Sequence, residues 1–343
     1  VLIDSFGRTI RYLRVSVTDR CNLFCNYCRL PNETLLPNNR ELLDFDELVR
    51  LLRIFLQLGI ERIRLTGGEP LLRRNLVGLV QEISRLPGLQ ELALTTNALL
   101  LERYAVALRA AGLQRVNISL DSLKPQTFDA ITQRHLMRPD LFAERQEQQG
   151  LPAVLAGIAA ARAAGLHPVK INMVVMRGIN DTEIVDMVHY AHQHGLLLRF
   201  IETMPVGEAG LDMADHFIPA EEILEQIQRH FARQLLPIAG KQGSGPARYF
   251  RLADSSAEIG VISARSRHFC DTCNRMRLTS KGSLVYCLGR SDRMDLKQLL
   301  RSGAGDEQIK ESILAAVALK PQQHEFEQKE FYRPSNRMSA LGG

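Results

Sequence analysis

The chemistry of this chain begins with its cysteines. Six of them fall into two sets of three: Cys21, Cys25 and Cys28, then Cys270, Cys273 and Cys287. In VTDRCNLFCNYC (17–28), three residues separate the first pair and two the second. In FCDTCNRMRLTSKGSLVYC (269–287), two residues again separate the first pair, and thirteen separate Cys273 from the returning Cys287. Thiolates are soft ligands that suit zinc and iron. A closed structural zinc site takes four protein ligands, so three leave a metal position open to an exogenous ligand. Three clustered thiolates also suit a 4Fe–4S cube whose fourth iron has no protein ligand. A chance thiol cluster or part of a zinc site stays open for the first set. His268 keeps a Cys3His zinc site open for the second. An even count admits disulfides, but a long chain without a signal-peptide core is expected to keep its thiols reduced for metal.

The elements that position these residues follow from periodicity. Short β-rich runs, LRVSVT (13–18), RIRLTG (62–67), LALTTN (92–97), VNISLD (116–121), VKINMVV (169–175) and LLRFIETM (197–204), alternate with amphipathic segments of helical length. Gly59, Gly112, Gly165 and Gly195 each stand just past such a segment, as left-handed C-caps do. Asp44 or Asp46, and Asp181, are the expected N-caps. Six βα units joined by helical crossovers imply a parallel α/β sheet, doubly wound or curved into a partial barrel. Six fall short of the eight that close a full barrel. Residues 133–151 interrupt the rhythm and read as a surface insertion. Beyond 204 the pattern changes to a loop, a helix, a hairpin in RYFRLADSSAEIGVISA, a second hairpin through RLTSKGSLVYC and a polar tail. The expected division is 1–204 and a smaller C-terminal α+β domain, 205–343.

The first cysteine set directly follows the first strand, at the C-terminal edge of the sheet where ligands of α/β folds bind. LTGGEPLLR (65–73) follows the second strand at the same edge and adds two glycines and Glu69. Thr95, Thr96, Asn97, Ser119, Asp121, Glu202 and Met204 end other strands there. Lys170 instead begins the fifth strand and would have to reach a site from inside the barrel.

The 343 residues are 45% hydrophobic and 24% charged, ordinary values for a folded globular chain. No apolar run reaches the roughly 18 residues that span a bilayer. The opening VLIDSFGRTIRYLR lacks a signal-peptide core, so a cytoplasmic location is expected. It starts on Val1 rather than Met, which leaves room for residues upstream. The net charge of +5 is mild. Nucleic-acid binding is not demanded, and a small polyanion such as a nucleoside triphosphate fits as well.

CxxxCxxC after an N-terminal strand, together with GGEP after the next, resembles the radical S-adenosylmethionine (radical SAM) superfamily. CxxCNRxRLT, the returning Cys287 and the terminal Gly342-Gly343 narrow this to the GTP 3′,8-cyclase family of molybdenum cofactor biosynthesis, over nearly the whole chain. The resemblance implies a partial (β/α)6 TIM-like barrel and two 4Fe–4S clusters facing one cavity. One cluster, on Cys21, Cys25 and Cys28, would bind S-adenosylmethionine, helped by Tyr27, Gly68, Glu69, Ser119 and Met204. The other, on Cys270, Cys273 and Cys287, would bind the guanine of GTP. Arg14, Arg64, Thr95, Lys170, Arg275, Met276 and Arg277 would contact GTP, and Arg275, Arg277, Gly342 and Gly343 would serve catalysis. A triphosphate carries about four negative charges, which guanidinium forks pair well.

The implied reaction is abstraction of the ribose 3′ hydrogen by a 5′-deoxyadenosyl radical, then closure onto guanine carbon 8. The product would be (8S)-3′,8-cyclo-7,8-dihydroguanosine 5′-triphosphate. A flavodoxin or ferredoxin donor and a downstream cyclic pyranopterin monophosphate synthase are implied as partners. A homodimer is left open, and no nucleic acid or membrane is expected. Two departures stand out: Arg29-Leu30 where the family commonly has Met-Pro, and the insertion near 138–150. The rival readings are a peptide-modifying radical enzyme, which usually carries more C-terminal cysteines, and a non-catalytic iron–sulfur or zinc sensor, which would need no GGEP.

Overall fold

The computed structural model describes residues 1–29, 41–133, 150–238, 245–326 and 337–342. Leu30, Gly343 and nearly all of the 133–151 insertion lie outside these. The six expected strands are β1 (Tyr12–Ser16), β2 (Arg62–Thr66), β3 (Glu91–Thr96), β4 (Arg115–Ser119), β5 (Lys170–Val175) and β6 (Leu197–Glu202). They pair in chain order, all parallel. The crossovers are α1 (Phe45–Gln57), α2 (Leu76–Ser84), α3 (Leu101–Ala110), α4 (Pro125–Thr132), α5 (Leu151–Ala163) and α6 (Ile184–Gln193).

Local signals explain most boundaries. Asp44 caps α1 in a capping box. Its carboxylate accepts from the Glu47 amide at 2.8 Å, and the Glu47 carboxylate accepts from the Asp44 amide at 2.9 Å. All four predicted C-cap glycines have positive φ. Asp181 is not a helix N-cap. It opens a 3-10 turn before α6, and its carboxylate accepts from the Gly178 amide instead. The intervening turn moves the helix start past it.

The C-terminal part adds α7 (Gly207–Asp212), α8 (Ala220–Phe231), β7 (Leu235–Pro237), β8 (Arg248–Leu252), β9 (Glu258–Ile262), β10 (Arg275–Leu278), β11 (Ser283–Val285), β12 (Arg293–Asp295), α9 (Leu296–Arg301), α10 (Asp306–Ala318) and α11 (Met338–Leu341). Both expected hairpins form, β8–β9 and β10–β11. Their strands extend the first sheet rather than making another. β9 pairs parallel with β6, and β10 pairs parallel with β1. Eight parallel strands, β10-β1-β2-β3-β4-β5-β6-β9, are thus flanked by antiparallel strands at both ends. A hairpin partner masks the parallel edge of β9 and β10, so local patterning shows only the antiparallel one.

Alternation along the strands separates two environments. Leu13, Val15, Ile63, Leu65, Leu92, Leu94, Val116, Ile118, Ile171 and Met173 point outward into the core beneath the helices. Burying each such side chain contributes roughly 1.5–3 kcal/mol. The alternate positions are polar: Arg14, Arg64, Thr95, Ser119, Asn172 and Arg199 line one cavity with residues of β9 and β10. The sheet therefore curls around that cavity.

Candidate active site

The loop after β1 carries the first cysteine set. The amides of Cys28 and Arg29 both donate to the Cys25 carbonyl, at 2.8 and 3.1 Å. The amides of Phe24 and Asn26 donate to the carbonyls of Thr132 and Ile131, tying the loop to the end of α4. Arg29 is buried, with its guanidinium 4.1 Å from the Phe24 ring centroid. Of the Arg29-Leu30 departure, Arg29 is thus packed within the cysteine loop, and Leu30 lies outside the described residues.

GGEP crosses this loop backbone to backbone. The Gly68 amide donates to the Thr18 carbonyl at 2.8 Å, and the Glu69 amide to the Arg20 carbonyl at 2.7 Å. A Cβ on Gly67 or Gly68 would overlap the carbonyl oxygens of Thr18 and Arg20 respectively. The expectation that the glycines admit a ligand needs this addition: their close approach is first of all to the cysteine loop. Glu69 is turned away from the cavity and is 1% exposed. Its carboxylate accepts from the Thr96 hydroxyl and the Asn97 amide, both at 2.7 Å, and from the Leu71 amide at 3.0 Å. It pins the ends of β2 and β3 together. Burial, only partly offset by these donors, pushes it up to about 7.

Tyr27, between the second and third cysteines, donates its hydroxyl to Asp121 at 2.7 Å. Asp121 also accepts from the Val174 amide at 2.8 Å. Burial pushes Asp121 up to about 6. Burial and then Glu69 push the Cys21 thiol up to about 12; burial and then Asp121 raise Cys25 well above its usual value.

The second set has basic neighbours, although burial still raises the thiols of Cys270 and Cys287. Cys270 opens a 3-10 turn, Cys273 closes it, and Cys287 follows β11. Arg8 donates to the Cys270 carbonyl at 2.8 Å, and the Lys320 ammonium to the Tyr286 carbonyl at 2.6 Å. Burial alone would raise Cys273. Arg275, then Lys320, a backbone hydrogen bond and Arg8 outweigh it and bring the thiol down to about 7.

Between the two sets stands a basic wall. Strand register places Arg14 beside Arg277 on one side and Arg64 on the other. Burial lowers Arg64 and Arg277 to about 10, and Arg14 falls well below its usual value through burial and Arg277. Arg64 Nε, Arg199 Nε and Nη2, Thr95 Oγ1 and Asn172 Oδ1 are buried without a hydrogen-bond partner among the described residues. Buried polar groups are normally satisfied, so this surface is built for a polar, anionic occupant.

The structure brings all six cysteines onto this cavity, with Tyr27, Gly68, Ser119, Met204, Arg14, Arg64, Thr95, Arg275, Met276 and Arg277. Glu69 and Lys170 stay outside its lining. Lys170 sits lower in the barrel, where burial and then Arg199, Arg115 and Arg64 lower it to about 7. His268 is also off the wall and packs edge-on against His324, with ring centroids 5.6 Å apart. Among the described residues no three His, Cys, Asp or Glu groups converge as one metal ion requires. Three thiolates in each set are the donors that a 4Fe–4S cluster with one open iron takes. Gly342 is also outside the lining but is held against it: its carbonyl accepts from Arg277 at 2.7 Å, and a Cβ there would overlap the Thr66 hydroxyl. The tail reads as polar in sequence, yet Met338 and Leu341 are buried with Val206, Ala264, Val285 and Phe326.

Sequence reasoning missed Arg199, Asn172, Lys320 and His324. Arg199 and Asn172 share a register row with Ser119, so strand phase could have found them. Gly260 opposite Arg199 leaves its room, since a Cβ there would come within 2.8 Å of Arg199 Cγ. Lys320 and His324 lie in a loop with no such signal.

A parallel α/β sheet curled around a cavity, with a CxxxCxxC loop crossed by GGEP at its edge, defines a radical SAM enzyme. The Radical SAM superfamily model matches residues 15–191, and the Molybdenum Cofactor Synthesis C model matches residues 196–326. Crystal structures of Streptococcus suis SuiB share the fold. The form bound to S-adenosylmethionine has a TM-score of 0.60 at 14% identity, covering 90% of this chain and 68% of SuiB. The form bound to precursor peptide SuiA gives 0.61 at 14% identity, covering 98% of this chain and 76% of SuiB. A GTP 3',8-cyclase of Hydrogenovibrio crunogenus is 46% identical over 100% of this chain and 99% of its own length. One of Heliobacterium modesticaldum is 44% identical over the whole of both. The chain belongs to the GTP 3′,8-cyclase family. No helix among the described residues is long and apolar enough to cross a membrane.

Proposed function

We propose that this chain is a radical SAM lyase that converts GTP to (8S)-3′,8-cyclo-7,8-dihydroguanosine 5′-triphosphate, the first step of molybdenum cofactor biosynthesis. The observation that carries the reading is a single cavity with a cysteine triad at each end and buried arginines between them. Cys21, Cys25 and Cys28 would hold one 4Fe–4S cluster, and Cys270, Cys273 and Cys287 a second. Bound at the first cluster, S-adenosylmethionine supplies the radical chemistry that removes the ribose 3′ hydrogen.

The chain's own residues bind and orient. Tyr27, Gly68, Ser119 and Met204 line the S-adenosylmethionine side, while Glu69 fixes the loop beneath it. Arg14, Arg64, Arg199, Arg275 and Arg277 surround the GTP side with Thr95 and Met276. Their mutual repulsion and desolvation are offset when a triphosphate enters. Lys170 acts on that charge from below. Gly342, joined to Arg277, closes the rim, and Gly343 would serve catalysis with it.

Residues 1–204 carry the radical machinery and 205–343 the second cluster and GTP contacts. A flavodoxin or ferredoxin in the cytoplasm would supply electrons, and cyclic pyranopterin monophosphate synthase would take the product. A homodimer is compatible with the reading.

The test is anaerobic reconstitution with iron and sulfide, followed by incubation with S-adenosylmethionine, dithionite and GTP. The cyclised triphosphate should appear by mass spectrometry with one 5′-deoxyadenosine per product. Cleavage of S-adenosylmethionine without a cyclised nucleotide would refute the substrate assignment.

A further inference from the structure

Lys320 has no part in the chemistry described so far. It follows α10 and lines the cavity, yet it is only 2% exposed. A buried ammonium is costly unless it is hydrogen-bonded and meets opposite charge. Its hydrogen bond goes to the Tyr286 carbonyl at 2.6 Å, on the residue before Cys287. No carboxylate among the described residues forms an ion pair with it.

The charge it faces is therefore that of the cysteines. Its bond to the Tyr286 carbonyl sets the ammonium beside Cys287, on a cavity lined by all three cysteines of the set. Arg8 also neighbours this set, but its Nε is 2.6 Å from Asp4, so its charge is already met. Arg275 stands over the Phe269 ring and belongs to the basic wall. Arg277 lines the same cavity, but its guanidinium donates to the carbonyls of Leu341 and Gly342. At the N-terminal set the buried groups nearby include carboxylates, Asp121 bonded to the Tyr27 hydroxyl and Glu69 to the Asn97 amide.

We propose that Lys320 is the counter-charge of the C-terminal cysteine set and raises the reduction potential of the cluster held there. The inference rests on the two-cluster reading above. Reduction adds negative charge to a cluster, and a fixed buried cation favours the more negative state. The side chain acts through the thiolates, as a positioning residue rather than a catalytic one.

The experiment isolates the second cluster in the full chain carrying Cys21→Ser, Cys25→Ser and Cys28→Ser. Midpoint potentials are read by EPR during titration with dithionite, with Lys320, Lys320→Gln and Lys320→Arg in turn. Glutamine keeps a donor for the Tyr286 carbonyl but not the charge. It should shift the one-electron equilibrium about tenfold toward the oxidised cluster, about 59 mV lower, while arginine stays near the Lys320 value. A loaded Lys320→Gln protein with an unchanged midpoint overturns the proposal. If glutamine loses the cluster while arginine keeps it, the charge is needed to gather the thiolates, which supports the proposal. Loss in both variants means that Lys320 only packs, and overturns it. Failure of the Lys320 protein itself to take up iron would refute the two-cluster reading, and this inference with it.

Discussion

Arg277 donates to the carbonyl of Gly342 at 2.7 Å across 65 residues of sequence. The same glycine lies against Thr66 at the end of β2, with φ +73. One terminal residue thus joins the basic wall to the loop that crosses the cysteines.

Gly342→Ala tests that joint. A side chain would overlap the Thr66 hydroxyl and adopt a left-handed backbone costing roughly 1–2 kcal/mol. The tail should leave the rim without unfolding the sheet. Cyclised product per minute should fall at least about tenfold, a barrier change of roughly 1.4 kcal/mol, while the melting temperature stays put. Full activity would show that the rim contact has no catalytic role.

Lys170 gives a proton-linked signature. Its ammonium is depressed from 10.5 to about 7 by burial first, then by Arg199, Arg115 and Arg64. The free protein therefore holds it largely neutral at pH 8. A triphosphate among those arginines raises it again, so GTP binding takes up protons between about pH 7 and 10.5. Calorimetry at pH 8 in buffers of different ionisation enthalpy should report uptake approaching one proton, abolished in Lys170→Met. Identical enthalpies in all buffers would place the triphosphate away from this cluster.

Arg8→Leu should strip the second cysteine set. Arg8 holds the carbonyls of Cys270, Pro321 and Gln322 and neutralises buried Asp4. Removing one partner of a buried ion pair costs roughly 3–5 kcal/mol. Iron should fall to about half, that of one four-iron cluster, with the S-adenosylmethionine-perturbed EPR signal retained. Undiminished iron would show that the Cys270 loop does not depend on Arg8.

The Tyr27–Asp121 pair should show coupling. Tyr27→Phe leaves a buried carboxylate short of a donor, at a cost of about 1–3 kcal/mol. Adding Asp121→Asn should cost less than the sum by about 1 kcal/mol in anaerobic denaturation. Strict additivity would mean that the hydrogen bond contributes nothing.

Much of this was legible in sequence because it is written in periodicity. The parallel strands β1 to β6, the C-cap glycines and the two hairpins follow from local pattern. The parallel pairing of β9 with β6 and of β10 with β1 is not local: each joins segments far apart in the chain, and a hairpin partner conceals it. The same limit governs the site. Cys21 to Cys28 declare themselves by spacing, whereas Lys320 becomes significant only once folding sets it against Tyr286. Glu69 shows the converse case. Its motif suggests a ligand contact, but three donors from β3 and its own turn already occupy the carboxylate.

The most direct measurement uses GTP deuterated at the ribose 3′ position, with reconstituted protein, S-adenosylmethionine and dithionite. Mass spectrometry should find one deuterium in 5′-deoxyadenosine, placing the ribose 3′ carbon within reach of the site between the two cysteine sets. Unlabelled 5′-deoxyadenosine, formed at the same rate with or without GTP, would contradict the assignment of GTP to this cavity.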